Sequence, residues 1–127
     1  MIDLRDYQRE AIDSLYRWLA ENEGNPLVVA PTGAGKSVIL AEFIRSALKA
    51  YPDTRVLVCT HVKELIEQDF TAILRVWPDA PIGIYSAGLG KKQARAQIVV
   101  GGVQSLVRAR DLQPFDLIII DVWIGVE

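Results

Sequence analysis

Six consecutive residues near the start of the chain have the types and order needed to hold a phosphorylated ligand. Thr32-Gly-Ala-Gly-Lys-Ser37 places two glycines before a lysine and a hydroxyl. Gly33 and Gly35 let the backbone curl so that successive N–H groups point at phosphate oxygens, and Lys36 adds a mobile positive charge. The Ser37 hydroxyl can complete the coordination shell of a Mg²⁺ ion. The segment therefore predicts a phosphate-binding loop.

A second chemical group follows an apolar run much later in the chain. Phe115-Asp-Leu-Ile-Ile-Ile-Asp121 has the pattern of a short buried strand that ends in a carboxylate. If this strand lies next to the phosphate loop, Asp121 stands where it can hold Mg²⁺ directly or through water. The alternative interpretation of Asp121 is a turn aspartate after a strand.

The elements that must position these groups alternate between helices and strands. Apolar residues at helical spacing predict a first helix with Asp6 as its N-cap, and Lys36 marks the start of the helix after the loop. Strands separated by helices imply right-handed crossovers. The sequence therefore predicts an α/β fold with a mostly parallel sheet and helices on both faces. The predicted strands span 27–30, 55–60, 82–86, 98–100 and 116–120. Besides the helix that begins at Lys36, the predicted helices span 6–22, 62–77 and 103–110.

The composition describes one folded domain and excludes several classes of protein. The 127 residues are 50% apolar, carry a formal charge of -2 and include one cysteine. A disordered tail and a disulfide scaffold are therefore excluded. The longest apolar run is too short to span a membrane, and the N-terminus lacks the pattern of a signal peptide. We expect a cytoplasmic protein that does not associate with a membrane.

Three segments resemble the nucleotide-binding motifs of superfamily 2 helicases of the DEAD/DEAH type, above all the restriction-subunit and excision-repair branch. Residues 4–12 resemble the Q motif, residues 30–37 motif I with Ala30 in place of its first glycine, and residues 115–121 motif II. The resemblance implies a RecA-like P-loop NTPase fold, with ATP and Mg²⁺ as cofactors. It implies catalytic roles for Lys36 and Asp121, and metal contacts for Ser37 and Asp121. The residues that it assigns to the nucleotide are Arg5, Gln8, Thr32, Gly33, Ala34, Gly35, Lys36 and Ser37.

Two further segments resemble the motifs with which this family holds a nucleic-acid strand. Residues 59–68 resemble motif Ia, and residues 98–106 resemble motif Ic, although Gly102 stands where a small hydroxyl residue is usual. The partner implied is a nucleic acid, with DNA favoured over RNA. For His61, a surface position at a helix start is an equally good interpretation. The residues assigned to the nucleic acid are Thr60, His61, Lys63, Gln104 and Ser105; a basic rim of Lys91, Lys92, Arg95, Arg108 and Arg110 is equally well explained as a solvated face.

The resemblance breaks after Asp121. Family members continue with a glutamate that orients and deprotonates the attacking water, whereas this chain has Val122. Loss of such a base typically slows a reaction by about 10²–10⁴-fold. The family's motif III strand and second domain are also missing, so the sequence predicts that residues 1–127 are a partial N-terminal ATP-binding domain, incomplete at its C-terminus. A truncated or frame-shifted gene and a deliberately short protein both fit this pattern, and the first is favoured.

The function expected from the resemblance is that of the ATP-binding portion of an ATP-dependent DNA helicase or translocase. As this chain stands, hydrolysis is expected to be deficient, which leaves its status as an enzyme open. The alternative is a non-catalytic nucleotide- or nucleic-acid-binding module derived from a helicase. Such a module could interact with a full-length helicase relative or with restriction or repair subunits. A small P-loop kinase is disfavoured, because no arginine-rich lid is visible and the upstream Gln8 helix would have no purpose.

Overall fold

The computed structural model describes residues 4–28 and 35–122, which form four helices and five strands. None of these helices is long and apolar enough to cross a membrane. In chain order the elements are α1 (Asp6–Glu21), α2 (Lys36–Ala50), β1 (Val56–Thr60), α3 (Lys63–Val76), β2 (Ile82–Ser86), β3 (Lys91–Lys92), β4 (Ile98–Gly102), α4 (Val103–Leu106) and β5 (Leu117–Ile120).

The five strands form one sheet in the order β3-β2-β4-β1-β5. All pairs are parallel except β2 with β3, which closes a hairpin. Strand β1 lies between β4 and β5, with Thr60 opposite Gly102 on one side and Cys59 opposite Ile120 on the other. The carboxyl ends of β4, β1 and β5 therefore meet at one edge of the sheet, which is where ligands bind in parallel α/β sheets.

The sheet is covered on both faces, as the sequence predicts. Helices α2 and α3 pack on one face, where Ile44 and Ile73 are fully buried against Val58 and Val100. The other face carries Leu57, Tyr85 and Val99, over which Leu106 of α4 and Phe115 pack. Strands β1 and β4 are apolar on both sides because both of their faces are buried.

Strand β5 lies at the end of the sheet and is only half covered. Its Leu117 and Ile119 pack toward α2 and α3, whereas Ile118 and Ile120 are 58% and 67% exposed. Among the described residues β5 has only β1 as a neighbour.

Several predicted boundaries differ from the structure. Asp6 is the first residue of α1 and Arg5 is the N-cap, because the Gln8 side chain, not an aspartate, accepts the Arg5 N–H. Helix α4 ends at Leu106 rather than at residue 110, and the chain continues in tighter turns in which Arg108 N–H donates to Ser105.

The first predicted strand and the short strand β3 are the other differences. Leu27 and Val28 are exposed and form no strand, while Val29 and Ala30 lie outside the described residues. Strand β3 was not predicted, because two lysines carry no apolar alternation. It forms because Gln93 holds the hairpin: its Oε1 atom accepts the Ile84 N–H at 2.8 Å and its backbone N–H donates to Ile84 at 2.9 Å.

The fold makes a direct prediction for the core under α2. Ile44→Ala removes a fully buried side chain between α2 and the sheet and should lower the free energy of unfolding by about 2–5 kcal/mol. Urea denaturation followed by tryptophan fluorescence measures this loss. Val107→Ala, at a position 76% exposed, is the matched control and should change the stability by less than about 0.5 kcal/mol. Equal losses in the two variants would contradict this packing.

Candidate nucleotide-binding site

The structure brings Lys36 and Asp121 together from positions 85 residues apart. Lys36 is the first residue of α2, and Asp121 directly follows β5, where its backbone N–H donates to Cys59 at 2.9 Å. The Lys36 ammonium forms an ion pair with Oδ1 of Asp121 and also donates to the carbonyl of Val122 at 3.3 Å. Asp121 is 5% exposed, so its charge lies in a partly desolvated position that Lys36 neutralises.

Gln8 links the first helix to the start of α2. Its Oε1 atom accepts the Arg5 N–H at 2.8 Å, and its Nε2 atom donates to the carbonyl of Gly35 at 3.2 Å. Gly35 has a φ of +82°, and a Cβ there would lie 2.1 Å from Gln8 Nε2, so only glycine fits. Gln8 is buried, and among the described residues one of its amide hydrogens and one of its lone pairs have no partner, while Arg5 is exposed beside it.

Ser37 lies in a cleft between α2 and α3. Gln68 of α3 donates from Nε2 to the Ser37 hydroxyl oxygen at 3.3 Å. The cleft has a volume of about 570 Å³, and Gly35, Lys36, Ser37 and Asp121 line one part of it. The residues expected to hold phosphate and metal therefore share one open space.

Asp69 is a buried carboxylic acid beside this site. It lies on the apolar face of α3, is 1% exposed, and neither of its oxygens has a hydrogen-bond partner among the described residues. Burial, the neighbouring side chain of Asp121 and its negative charge together raise the pKa of Asp69 to about 9, against a lowering by Lys36. At neutral pH the Asp69 side chain is therefore protonated in the ligand-free protein.

The residues that could hold Mg²⁺ are Ser37 and Asp121. Oδ2 of Asp121 is buried and has no partner among the described residues, so it is available to a metal ion or to its water. Those residues contain no cluster of three or more His, Cys, Asp or Glu side chains that could hold a metal alone. A hydroxyl and one or two carboxylates, with the remaining positions left to phosphate and water, match the way proteins hold Mg²⁺.

The candidate nucleic-acid residues lie on the other side of β1. His61 and Lys63 follow β1 and are exposed, and Gln104 and Ser105 lie on α4, directly after the neighbouring strand. The Thr60 side chain is fully buried, and its hydroxyl accepts the Val62 N–H at 3.3 Å. The Ser105 hydroxyl accepts the Ala87 N–H at 2.9 Å, which ties α4 to the β2–β3 turn.

Several predicted site residues cannot be placed. Thr32, Gly33 and Ala34 lie outside the described residues, as does the segment after Val122. Of the predicted nucleotide and metal residues, four line the cleft: Gly35, Lys36, Ser37 and Asp121. Gln8 is joined to this group by its hydrogen bond to Gly35, and Arg5 by its hydrogen bond to Gln8.

Comparison with known proteins identifies the family to which this arrangement belongs. The model of the family described as "Type III restriction enzyme, res subunit" matches residues 1–122. The chain belongs to this family. Its fold is that of the RecA-like N-terminal domain of superfamily 2 helicases, as the motifs predicted.

Two relatives with helicase names resemble this chain. It is 29% identical over 126 residues to a Saccharomyces cerevisiae protein named "Putative ATP-dependent helicase IRC3", which covers 93% of this chain but 18% of the yeast protein. It is 41% identical over 54 residues to a Danio rerio protein named "Probable helicase with zinc finger domain", covering 42% of this chain and 3% of that one. The chain thus spans less than a fifth of the length of either relative.

A solved structure supports the same fold. The Type ISP restriction-modification enzyme LlaGI, determined as a nuclease-deletion mutant with a DNA substrate mimic, matches with a TM-score of 0.62 and 18% identity. The match covers 94% of this chain and 15% of LlaGI. At this identity the likeness concerns the fold alone.

Two residues of the site carry no role in the sequence analysis. Gln68 was included in the motif Ia resemblance but no contact was assigned to it, although it bonds Ser37. Asp69 was missed altogether. The available signal was its spacing: Asp69 falls on the same helical face as Leu65, Ile66 and Ile73, where an apolar residue is expected.

The raised pKa of Asp69 predicts a pH-dependent stability. In the absence of metal and nucleotide, the folded protein holds the Asp69 proton up to about pH 9, whereas the unfolded chain releases it near pH 3.8. This contribution is fully present below pH 3.8 and is lost as the pH rises through about 9, so stability falls over that window.

Asp69→Asn should remove this loss, and its free energy of unfolding relative to wild type should rise with pH. Urea denaturation in EDTA at several pH values measures the difference. Glu67→Gln, which removes an exposed carboxylate from the same helix, should follow wild type. A constant difference between Asp69→Asn and wild type at all pH values would disprove the buried proton.

Proposed function

We propose that this chain is the ATP-binding portion of an ATP-dependent DNA helicase or translocase. The observation that carries the proposal is the meeting of Lys36 and Asp121 beside Ser37 in one cleft. A lysine at the start of a helix, a hydroxyl next to it and a strand-end carboxylate are the groups that neutralise phosphate charge and hold Mg²⁺ in P-loop enzymes. The family match and the helicase names of the relatives support this function.

Each residue then has a chemical task. Gly35 and the first turn of α2 present backbone N–H groups to phosphate oxygens. The Lys36 ammonium leaves Asp121 and binds the phosphates. Gln8, already fixed by Arg5 and Gly35, offers its unused donor and acceptor to the adenine edge. Ser37 and Asp121 would hold Mg²⁺, which supplies positive charge to the β- and γ-phosphates.

Nucleic acid would bind beside the nucleotide, across β1. His61, Lys63 and Gln104 present exposed side chains at the ends of two adjacent strands, β1 and β4. Cations, amides and backbone N–H groups of this kind hold a phosphate backbone without recognising sequence. Because β1 touches both β4 and β5, a DNA strand and Asp121 would contact opposite sides of the same strand end.

We further propose that hydrolysis is slow in this chain. Val122 stands where the family has its glutamate, and it offers only its carbonyl, which accepts from Lys36 at 3.3 Å. A valine side chain cannot accept the proton of an attacking water. Nucleotide binding therefore survives while turnover loses its general base.

Nucleotide binding predicts a large effect at Lys36. Lys36→Ala should weaken binding of a fluorescent ATP analogue by at least about tenfold, because a charge-assisted contact to phosphate is lost. Lys49→Ala, which removes an exposed lysine from the last turn of the same helix, should bind within about twofold of wild type. Equal affinities of wild type and Lys36→Ala would refute the proposed site.

The missing base predicts a gain of activity. Val122→Glu should raise ATP hydrolysis in the presence of single-stranded DNA by about 10²-fold over wild type, measured by phosphate release. Val122→Gln has the same length but cannot accept a proton at neutral pH, and should stay near wild type. If wild type already hydrolyses ATP as fast as Val122→Glu, the proposed deficiency is wrong.

The absence of a carboxylate at Val122 also favours a second candidate function. A module without turnover could bind nucleotide or DNA and work beside a full-length helicase or a restriction or repair subunit. DNA affinity that is the same with and without an ATP analogue would favour this module. Affinity that changes with the analogue would favour the motor fragment.

A further inference from the structure

Gln68 makes a side-chain contact that joins α3 to α2 across the cleft. Its helix is firmly packed, because Leu65 and Ile66 in the preceding turn are buried. Gln68 itself is exposed and lines the cleft together with Ser37. Its Nε2 atom donates to the Ser37 hydroxyl oxygen at 3.3 Å, although the two residues lie 31 positions apart in sequence. A long side chain on a fixed helix is thus held at the hydroxyl that is expected to bind Mg²⁺.

The bond leaves Ser37 with the groups that a metal site needs. A serine hydroxyl has one proton and two oxygen lone pairs. Because Gln68 donates to the oxygen, one lone pair is used, while the other lone pair and the proton remain for the cleft. Mg²⁺ requires near-ideal octahedral geometry, so the direction of a ligand's lone pair matters. By fixing one bond to the oxygen, Gln68 restricts the directions in which the second lone pair points.

The contact depends on the length of the glutamine side chain. Gln68 belongs to the second turn of α3 and Ser37 to the first turn of α2, and the bond of 3.3 Å between them is already long for an N–H···O hydrogen bond. Asparagine carries the same amide on a side chain that is one carbon shorter, so it would not reach Ser37 from this backbone position. One substitution therefore removes the contact and keeps the chemical group.

We propose that Gln68 is a positioning residue that orients the Ser37 hydroxyl toward Mg²⁺ when a nucleotide binds. The inference rests on the proposed function, which assigns both Mg²⁺ and the nucleotide to this cleft. Gln68 acts through Ser37 and needs no contact of its own with the phosphates. Residues that orient a metal ligand in this way strengthen metal binding, because the ligand is held in its bound direction beforehand. Mg²⁺ should therefore improve nucleotide affinity less when the bond from Gln68 is lost.

The contribution of Mg²⁺ to nucleotide binding tests the proposal without hydrolysis. A fluorescent, non-hydrolysable ATP analogue is titrated in Mg²⁺ and in EDTA, and the two dissociation constants give a ratio that measures the Mg²⁺ effect. Gln68→Asn should reduce this ratio by at least about threefold, as expected for one hydrogen bond, while its affinity in EDTA stays within about twofold of wild type. Thr71→Ala removes an exposed hydroxyl from the same side of the cleft, one turn further along α3, and should keep the wild-type ratio.

Ser37→Ala distinguishes positioning from general support of the cleft. In the Ser37→Ala background, Gln68→Asn should not change the Mg²⁺ ratio further, because no hydroxyl is left to orient. Additive effects of the two substitutions, an unchanged ratio in Gln68→Asn, or an equal fall in Thr71→Ala would overturn the proposal, provided that circular dichroism shows each variant to be folded.

Failure of the proposed function gives a different result. Wild type would then not bind the analogue, would bind it as Lys36→Ala does, or would show no Mg²⁺ effect, and both proposals would fall together. If binding depends on Lys36 and on Mg²⁺ but not on Gln68, only the positioning role is wrong.

Discussion

The ion pair between Lys36 and Asp121 is the contact on which the arrangement of the site depends. It joins the first turn of α2 to the end of β5. Lys36 is the first residue of α2, and Asp121 directly follows β5. The parallel sheet makes the meeting possible by bringing the carboxyl ends of its strands to one edge. The charge pair then fixes which side chains face each other.

Charge balance connects this pair to the rest of the cleft. Lys36 neutralises the charge of Asp121. Helix α3 buries a second carboxyl group, that of Asp69, beside Asp121. In the ligand-free protein a proton neutralises Asp69. If a nucleotide draws Lys36 away, as the proposed function requires, the carboxylate of Asp121 becomes free to hold Mg²⁺.

Much of the fold could be predicted from local patterns. The continuous apolar runs of β1, β4 and β5 and the stripe of α3 gave the right element types, since burial on a parallel sheet demands them. The end of α4 and the hairpin strand β3 could not be predicted, because they depend on backbone turns and on the Gln93 side chain bonding Ile84. The predicted N-cap of α1, Asp6, was wrong for a similar reason. The N-cap is Arg5, whose backbone N–H donates to the Gln8 side chain, and residue spacing does not reveal this contact.

The site was predictable where the family motifs mark it and not elsewhere. Lys36, Ser37 and Asp121 carry recognisable chemistry in sequence, and the structure brings them together. Asp69 carries none, because a lone aspartate on a helix is usually solvated, and only the packing of α3 shows that it is buried against Asp121. The most direct test of the account is a crystal structure with a non-hydrolysable ATP analogue and Mg²⁺. The account predicts phosphates in the cleft, with Lys36 bound to them and no longer to Asp121. A nucleotide bound elsewhere, or an intact Lys36–Asp121 pair in its presence, would contradict it.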